Sequence, residues 1–187
     1  MNKTLRVSNE GIIKMSLSFS LLLYAFIISI IKKDGYIFIP MLCSTIGDLL
    51  IMSSRGVFDN RKQKSFEGGV VAFTLAHLSY LYLMQTATFK DNLFKSAGVW
   101  AIALIIMYVF PNIRKTKLFL GVYAIILITN LINAFAYSEL AAIGGILFVA
   151  SDLSLAIFEE KASKWQILIW AAYVPAQICL LTSLLMA

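Results

Sequence analysis

Charge is scarce in this chain of 187 residues. Asp, Glu, Lys and Arg together make up 14% of it, against about 25% in an average soluble domain. There is one histidine, and there are two cysteines and three prolines. A single histidine does not supply the usual ligand set of a zinc hydrolase. Two cysteines do not make a disulfide scaffold. What fills the chain instead is hydrocarbon: 60% of the residues are hydrophobic, and the mean hydropathy is +0.83. A soluble domain of this length keeps a large share of its surface in water and cannot hide that much apolar area. An ordinary soluble enzyme and a disordered tail are excluded.

A membrane-spanning helix needs roughly 17–25 mostly apolar residues. Seven stretches qualify, at about 12–31, 36–54, 66–86, 93–110, 117–136, 139–158 and 165–186. The links are short and carry turn or charge signals, such as KKDG after the first and RGVFDNRKQK after the second. Barrel strands alternate over ~10 residues instead of staying apolar for twenty. The expectation is an all-α, polytopic transmembrane helical bundle of about seven spans, with residues 1–187 forming a single domain. The first stretch is longer than the apolar core of a signal peptide, and no A-x-A-like site follows it, so it reads as a retained helix.

The basic residues set the orientation. Twelve of the 16 fall on one side: Lys3, Arg6, Lys14, Arg55, Arg61, Lys62, Lys64, Arg114, Lys115, Lys117, Lys161 and Lys164. Lys32, Lys33, Lys90 and Lys95 fall on the other. The N-terminus is expected in the cytoplasm of a cell whose plasma membrane holds the chain. The net charge of +6 then reflects topology and contact with anionic lipid heads, not nucleic-acid binding. Cys43 and Cys179 both fall in predicted helices and read as packing.

An ionisable side chain in mid-membrane costs about 2.5–3.5 kcal/mol on insertion scales. Two carboxylates stand out: Asp48 in CSTIGDLLIM and Asp152 in FVASDLSLAI. Each follows a small residue, precedes a leucine, and lies six positions before the end of its segment, at 54 and 158. At ~1.5 Å per residue both sit roughly 9 Å inside the cytoplasmic boundary. Two carboxyls facing each other there would resist carrying two charges at once. A protonated acid beside an ionised partner is what acid–base hydrolysis uses. Each could instead cap a broken helix, pair with a lysine or bind a cation.

The third segment carries Phe66, Gly69, Phe73, His77, Tyr80 and Met84 at helical spacing, one stripe with the sole histidine in it. Tyr123, Asn130 and Asn133 on the fifth segment, and Tyr173 and Gln177 on the seventh, are further polar candidates. Tyr123 lies six residues from its helix start, about the depth of the aspartates. Pro175 lies between Tyr173 and Gln177 and is expected to kink that helix and free a carbonyl. Lys14 either snorkels to the surface or reaches a lipid phosphate or one of the aspartates. A small-Asp-Leu step recurs in the second and sixth segments, which suggests a 3+1+3 arrangement with a two-fold along the membrane normal.

Together these residues resemble the YhhN-type lysoplasmalogenase family of integral membrane proteins. GDLLIM, with Gly47 and Asp48, looks like the family's Gly-Asp motif. Phe66, Gly69, Phe73, His77 and Tyr80 fit its F-x-x-G-x-x-x-F-x-x-x-H-x-x-Y pattern. GGILFVASDLSLAI fits a G-A-x-x-F-x-x-S-D-x-x-L-A segment through Gly144, Phe148, Ser151 and Asp152, and AAYVPAQ looks like its closing Tyr-x-x-Ala-Gln. Gly145 departs from the usual alanine. Met15 follows Lys14 where the family often has proline, and the family typically has eight spans.

The resemblance implies hydrolysis of the vinyl ether bond of a lysoplasmalogen, a lysophospholipid, to a fatty aldehyde and a glycerophospho-head group. It implies catalysis by Asp48 and Asp152 with no cofactor and no metal. Lys14, His77, Tyr80, Tyr123, Asn130, Ser151, Tyr173 and Gln177 are then expected to bind the substrate. Membrane lipids are the other expected partners. A small-solute or lipid transporter with the aspartates as proton or substrate sites is the rival reading, and a receptor or scaffold without chemistry is another.

Overall fold

The computed structural model describes residues 9–54, 59–85, 117–158 and 162–187. Every long element among them is an α-helix: α1 (Asn9–Lys32), α2 (Phe38–Ser54), α3 (Asp59–Leu83), α4 (Lys117–Tyr137), α5 (Glu139–Phe158) and α6 (Ala162–Met186). Six of the seven predicted segments are therefore helices, five within three residues of the expected bounds, while the third starts seven residues earlier, at Asp59, and ends at Leu83. The predicted segment 93–110 lies outside the described residues, as do Lys3, Arg6, Arg55, Lys90, Lys95, Arg114, Lys115 and Lys161.

The two short turns on the side opposite the N-terminus show how local chemistry ends these helices. After α1, Lys33 takes a left-handed φ of 54°. Its N–H donates to Ile30 O at 3.2 Å, and the Asp34 N–H donates to Ser29 O at 3.0 Å. That pair of bonds satisfies carbonyls the helix end would otherwise leave open. Asp34 then accepts from the Tyr36 N–H at 2.9 Å and starts a single 3-10 turn, Gly35–Ile37, that runs into α2. Pro40 lies in the first turn of α2, where its missing N–H costs no intrahelical bond. Between α4 and α5 the link is Ser138, whose hydroxyl accepts from the Ala141 N–H at 3.1 Å as an N-cap.

Each helix packs on the next, and α6 returns to α1. The closest packings are α2 on α3 and α5 on α6, and glycine permits both. A Cβ on Gly69 would sit 2.6 Å from Ile51 Cγ1 and 3.3 Å from Gly47 O. One on Gly144 would sit 3.0 Å from Ala176 O. The packing order within α1–α3 is repeated within α4–α6, as the recurring small-Asp-Leu step suggests.

Four of the described helical stretches are long and apolar enough to cross a membrane: Gly11–Lys32, Gly35–Ser53, Leu120–Tyr137 and Ile167–Met186. The distribution of side chains agrees. Leu23 is 59% exposed and Ile30 60%, while Ser18, Asn133 and Gln177 are fully buried. A fold with hydrocarbon outside and amides and hydroxyls inside is one built for lipid. The chain is an all-helical membrane protein.

Candidate functional site

Asp48 and Asp152 both point into the interior of this ring. Asp48, on α2, is buried, and Asp152, on α5, is partly so. Each lies six residues before the last residue of its helix. The register read from the sequence thus gives them matching positions on α2 and α5.

Their supports differ. Asp48 Oδ2 accepts from Ser18 Oγ of α1 at 2.7 Å and from the Tyr173 hydroxyl of α6 at 3.0 Å. Ser18 Oγ also lies 3.3 Å from Thr45 Oγ1, whose own proton goes to Met41 O. Asp152 Oδ2 accepts from the Tyr123 hydroxyl of α4. The same hydroxyl lies 3.3 Å from His77 Nε2 of α3, and His77 Nδ1 lies 2.8 Å from Asn130 Nδ2. Among the described residues, the hydrogen bonds to each carboxylate fall on Oδ2.

Aromatic rings stand between the two acids. Phe148 packs edge-on against His77 at 4.5 Å and against Tyr173 at 5.6 Å between centroids. Phe73 closes the group at 6.2 Å from Tyr173, and Trp170 lies on its other side at 5.2 Å. Gly47 makes room for this wall, since a Cβ there would meet the Phe73 ring at 2.7 Å.

The remaining expected site residues divide between the site's interior and other contacts. One turn deeper, Tyr80 donates to Gln177 Oε1 at 2.6 Å, and Gln177 Nε2 donates to Ser44 Oγ at 3.1 Å. Lys14 lies one turn before Ser18 on α1 and is partly buried. Ser151 turns away from the carboxylates and donates to Ile169 O on α6 at 3.1 Å. Asn133 closes the end of α3 by donating to Met84 O at 2.7 Å. Pro175 sits inside α6, which continues through it.

Ser18, Thr45 and Ser44 were not expected. A serine in a helix usually bonds back to the carbonyl four residues earlier, as Ser20 and Ser53 do. A signal for Ser18 did exist: Ser18, Leu21, Ala25 and Ile28 are the buried stripe of α1, at helical spacing. Among the described residues no three His, Cys, Asp or Glu side chains gather as a metal site would require.

No curated protein and no solved structure matches the chain. A family model does match, and it covers residues 10–184, which include both aspartates, the histidine stripe and the closing tyrosine and glutamine. The chain belongs to the YhhN family.

Proposed function

We propose that this protein is a membrane-embedded hydrolase that cleaves the vinyl ether bond of a lysoplasmalogen, with Asp48 and Asp152 as its acid and base. The observation that carries the reading is two carboxylates at matching positions on two helices of an apolar bundle, each bonded through one oxygen to hydroxyl groups of other helices. The chain's resemblance to the YhhN-type lysoplasmalogenase family supplies the substrate class.

The chemistry needs this pair. A carboxylic acid protonates the alkenyl β-carbon, and the ether oxygen shares the positive charge as an oxocarbenium ion. The ionised carboxylate stabilises that cation and takes a proton from the water that adds to it. The resulting hemiacetal collapses: its C–O bond breaks, the glycerol oxygen gains a proton and the aldehyde forms. The sum is one vinyl ether and one water giving one aldehyde and one alcohol. The logic is that of paired carboxylates in glycoside hydrolysis.

The excess of Lys and Arg on the side of the N-terminus supports a cytoplasmic orientation of that side. The lysolipid then enters with its tail among the helices and its head group near Lys14. Purified protein in detergent is expected to release aldehyde from a lysoplasmalogen and nothing from the ester-linked lysolipid of the same chain. Absence of aldehyde from both, with solute flux in vesicles, would replace this reading with a carrier.

A further inference from the structure

We infer that Asn130, His77 and Tyr123 form a directional line of hydrogen bonds that positions Asp152, with its proton sense set by the Asn130 amide. The inference deepens the hydrolase reading, on which its catalytic consequence rests. The hydrogen-bonding order itself stands on the orientation of the Asn130 amide, with Nδ2 toward the ring.

The order follows from counting protons. Asn130 Nδ2, an N–H donor, lies 2.8 Å from His77 Nδ1. Nδ1 therefore accepts, and in a neutral imidazole the ring proton then belongs to Nε2. Nε2–H points at the Tyr123 oxygen, 3.3 Å away, so that oxygen accepts. The single phenolic proton is left for Asp152 Oδ2. Each bond dictates the direction of the next, and three helices contribute: α3, α4 and α5.

Burial makes the order matter. His77 and Asn130 are 1% and 4% exposed, so water does not make up for a donor facing a donor. Asn130 Oδ1 is buried with no hydrogen-bond partner among the described residues. The amide therefore spends its one satisfied contact on the histidine. Phe148 stacks edge-on at 4.5 Å and holds the imidazole plane. With the amide turned by half a revolution, Oδ1 would face His77, the ring proton would move to Nδ1, and Nε2 would compete with Asp152 for the tyrosine proton. His77 and Asn130 thus act through Tyr123. They keep Asp152 Oδ2 occupied as an acceptor and orient the carboxyl for the substrate with its other oxygen. They are positioning residues.

The chain has one histidine, so protein labelled with 15N-histidine gives the two ring nitrogens of His77 and no others. The expected spectrum has Nε2 protonated and Nδ1 bare. Asn130→Asp keeps the size of the side chain but offers an acceptor, and is expected to move the proton to Nδ1. In the same variant the kcat for aldehyde release is expected to fall on the order of 10²-fold, the scale of a misplaced catalytic group, with KM little changed. His77→Ala is expected to show the same split.

A wild-type proton on Nδ1, or an Asn130→Asp spectrum like wild type, would overturn the inference. So would a rise in KM with kcat intact, which would mean that these residues grip the lipid. If the spectra behave as expected but no variant or wild type releases aldehyde, the hydrolase reading fails while the line of bonds stands.

Discussion

The two halves of the bundle pack alike and are chemically unlike. In α1–α3 the acid is Asp48, buried, with two hydroxyls on one oxygen, from Ser18 of its own half and from Tyr173 of the other. In α4–α6 the acid is Asp152, partly buried, with one tyrosine that also faces the histidine. Register and neighbour order repeat between the halves, and the donors do not. A repeated scaffold can bring two carboxylates to one depth, but it does not make them interchangeable. Acid–base hydrolysis requires two identical acids to hold their protons differently, and the unlike donors are where such a difference would arise.

The largest effect tests that division directly. Asp48→Asn and Asp152→Asn each preserve shape and remove the ionisable proton. Each is expected to lower aldehyde release by 10²-fold or more, the usual contribution of an acid or base, with helical content and elution in detergent unchanged. Equal losses would mean that both halves supply chemistry. Full turnover in either variant would reduce the pair to a single working acid, and the matched depth of the other would be a packing matter.

A smaller effect separates the two close helix packings. Gly47→Ala drives a methyl into the Phe73 ring at 2.7 Å, in the aromatic wall between the acids. Gly144→Ala meets Leu180 Cγ at 2.9 Å and the Ala176 carbonyl at 3.0 Å, away from the wall. Both overpack the interior, at about 1–3 kcal/mol, read as a lower unfolding temperature in detergent. Only Gly47→Ala is expected to reduce turnover beyond what the lost stability explains. Equal loss of turnover in both variants would show that the wall has no special part.

How far the sequence carried follows from what each residue type signals. Twenty-residue apolar runs announce helices with little ambiguity, and an aspartate within one is costly enough to draw notice. Asp48, Asp152, His77 and Tyr173 were legible for that reason. Ser18 gave only a weak signal, its place on the apolar stripe of α1, because a helical serine can satisfy itself on its own backbone and costs little wherever it faces. The direction Ser151 takes was equally hidden. Being next to Asp152 in the chain puts it about 100° round the helix, and it bonds the backbone of α6 instead. The partner of a side chain across the bundle depends on helix rotation, and one sequence holds no direct record of that.

The smallest effects lie at the two equivalent turns that join α1 to α2 and α4 to α5, and they have opposite signs. Lys33 holds a left-handed backbone at φ 54°, a conformation that costs a residue with a Cβ about 1 kcal/mol or more. Lys33→Gly removes that strain, and the glycine's extra freedom in the unfolded chain takes part of it back. A net gain of about 0.5 kcal/mol is expected. Ser138→Ala removes the hydroxyl that accepts from the Ala141 N–H, and loss of an N-cap costs about 1 kcal/mol. Thermal unfolding of the two variants in one detergent should therefore bracket the wild type, Lys33→Gly above and Ser138→Ala below. If both fall below it, the α1–α2 turn is held by contacts of the lysine side chain, and the two turns differ in more than their caps.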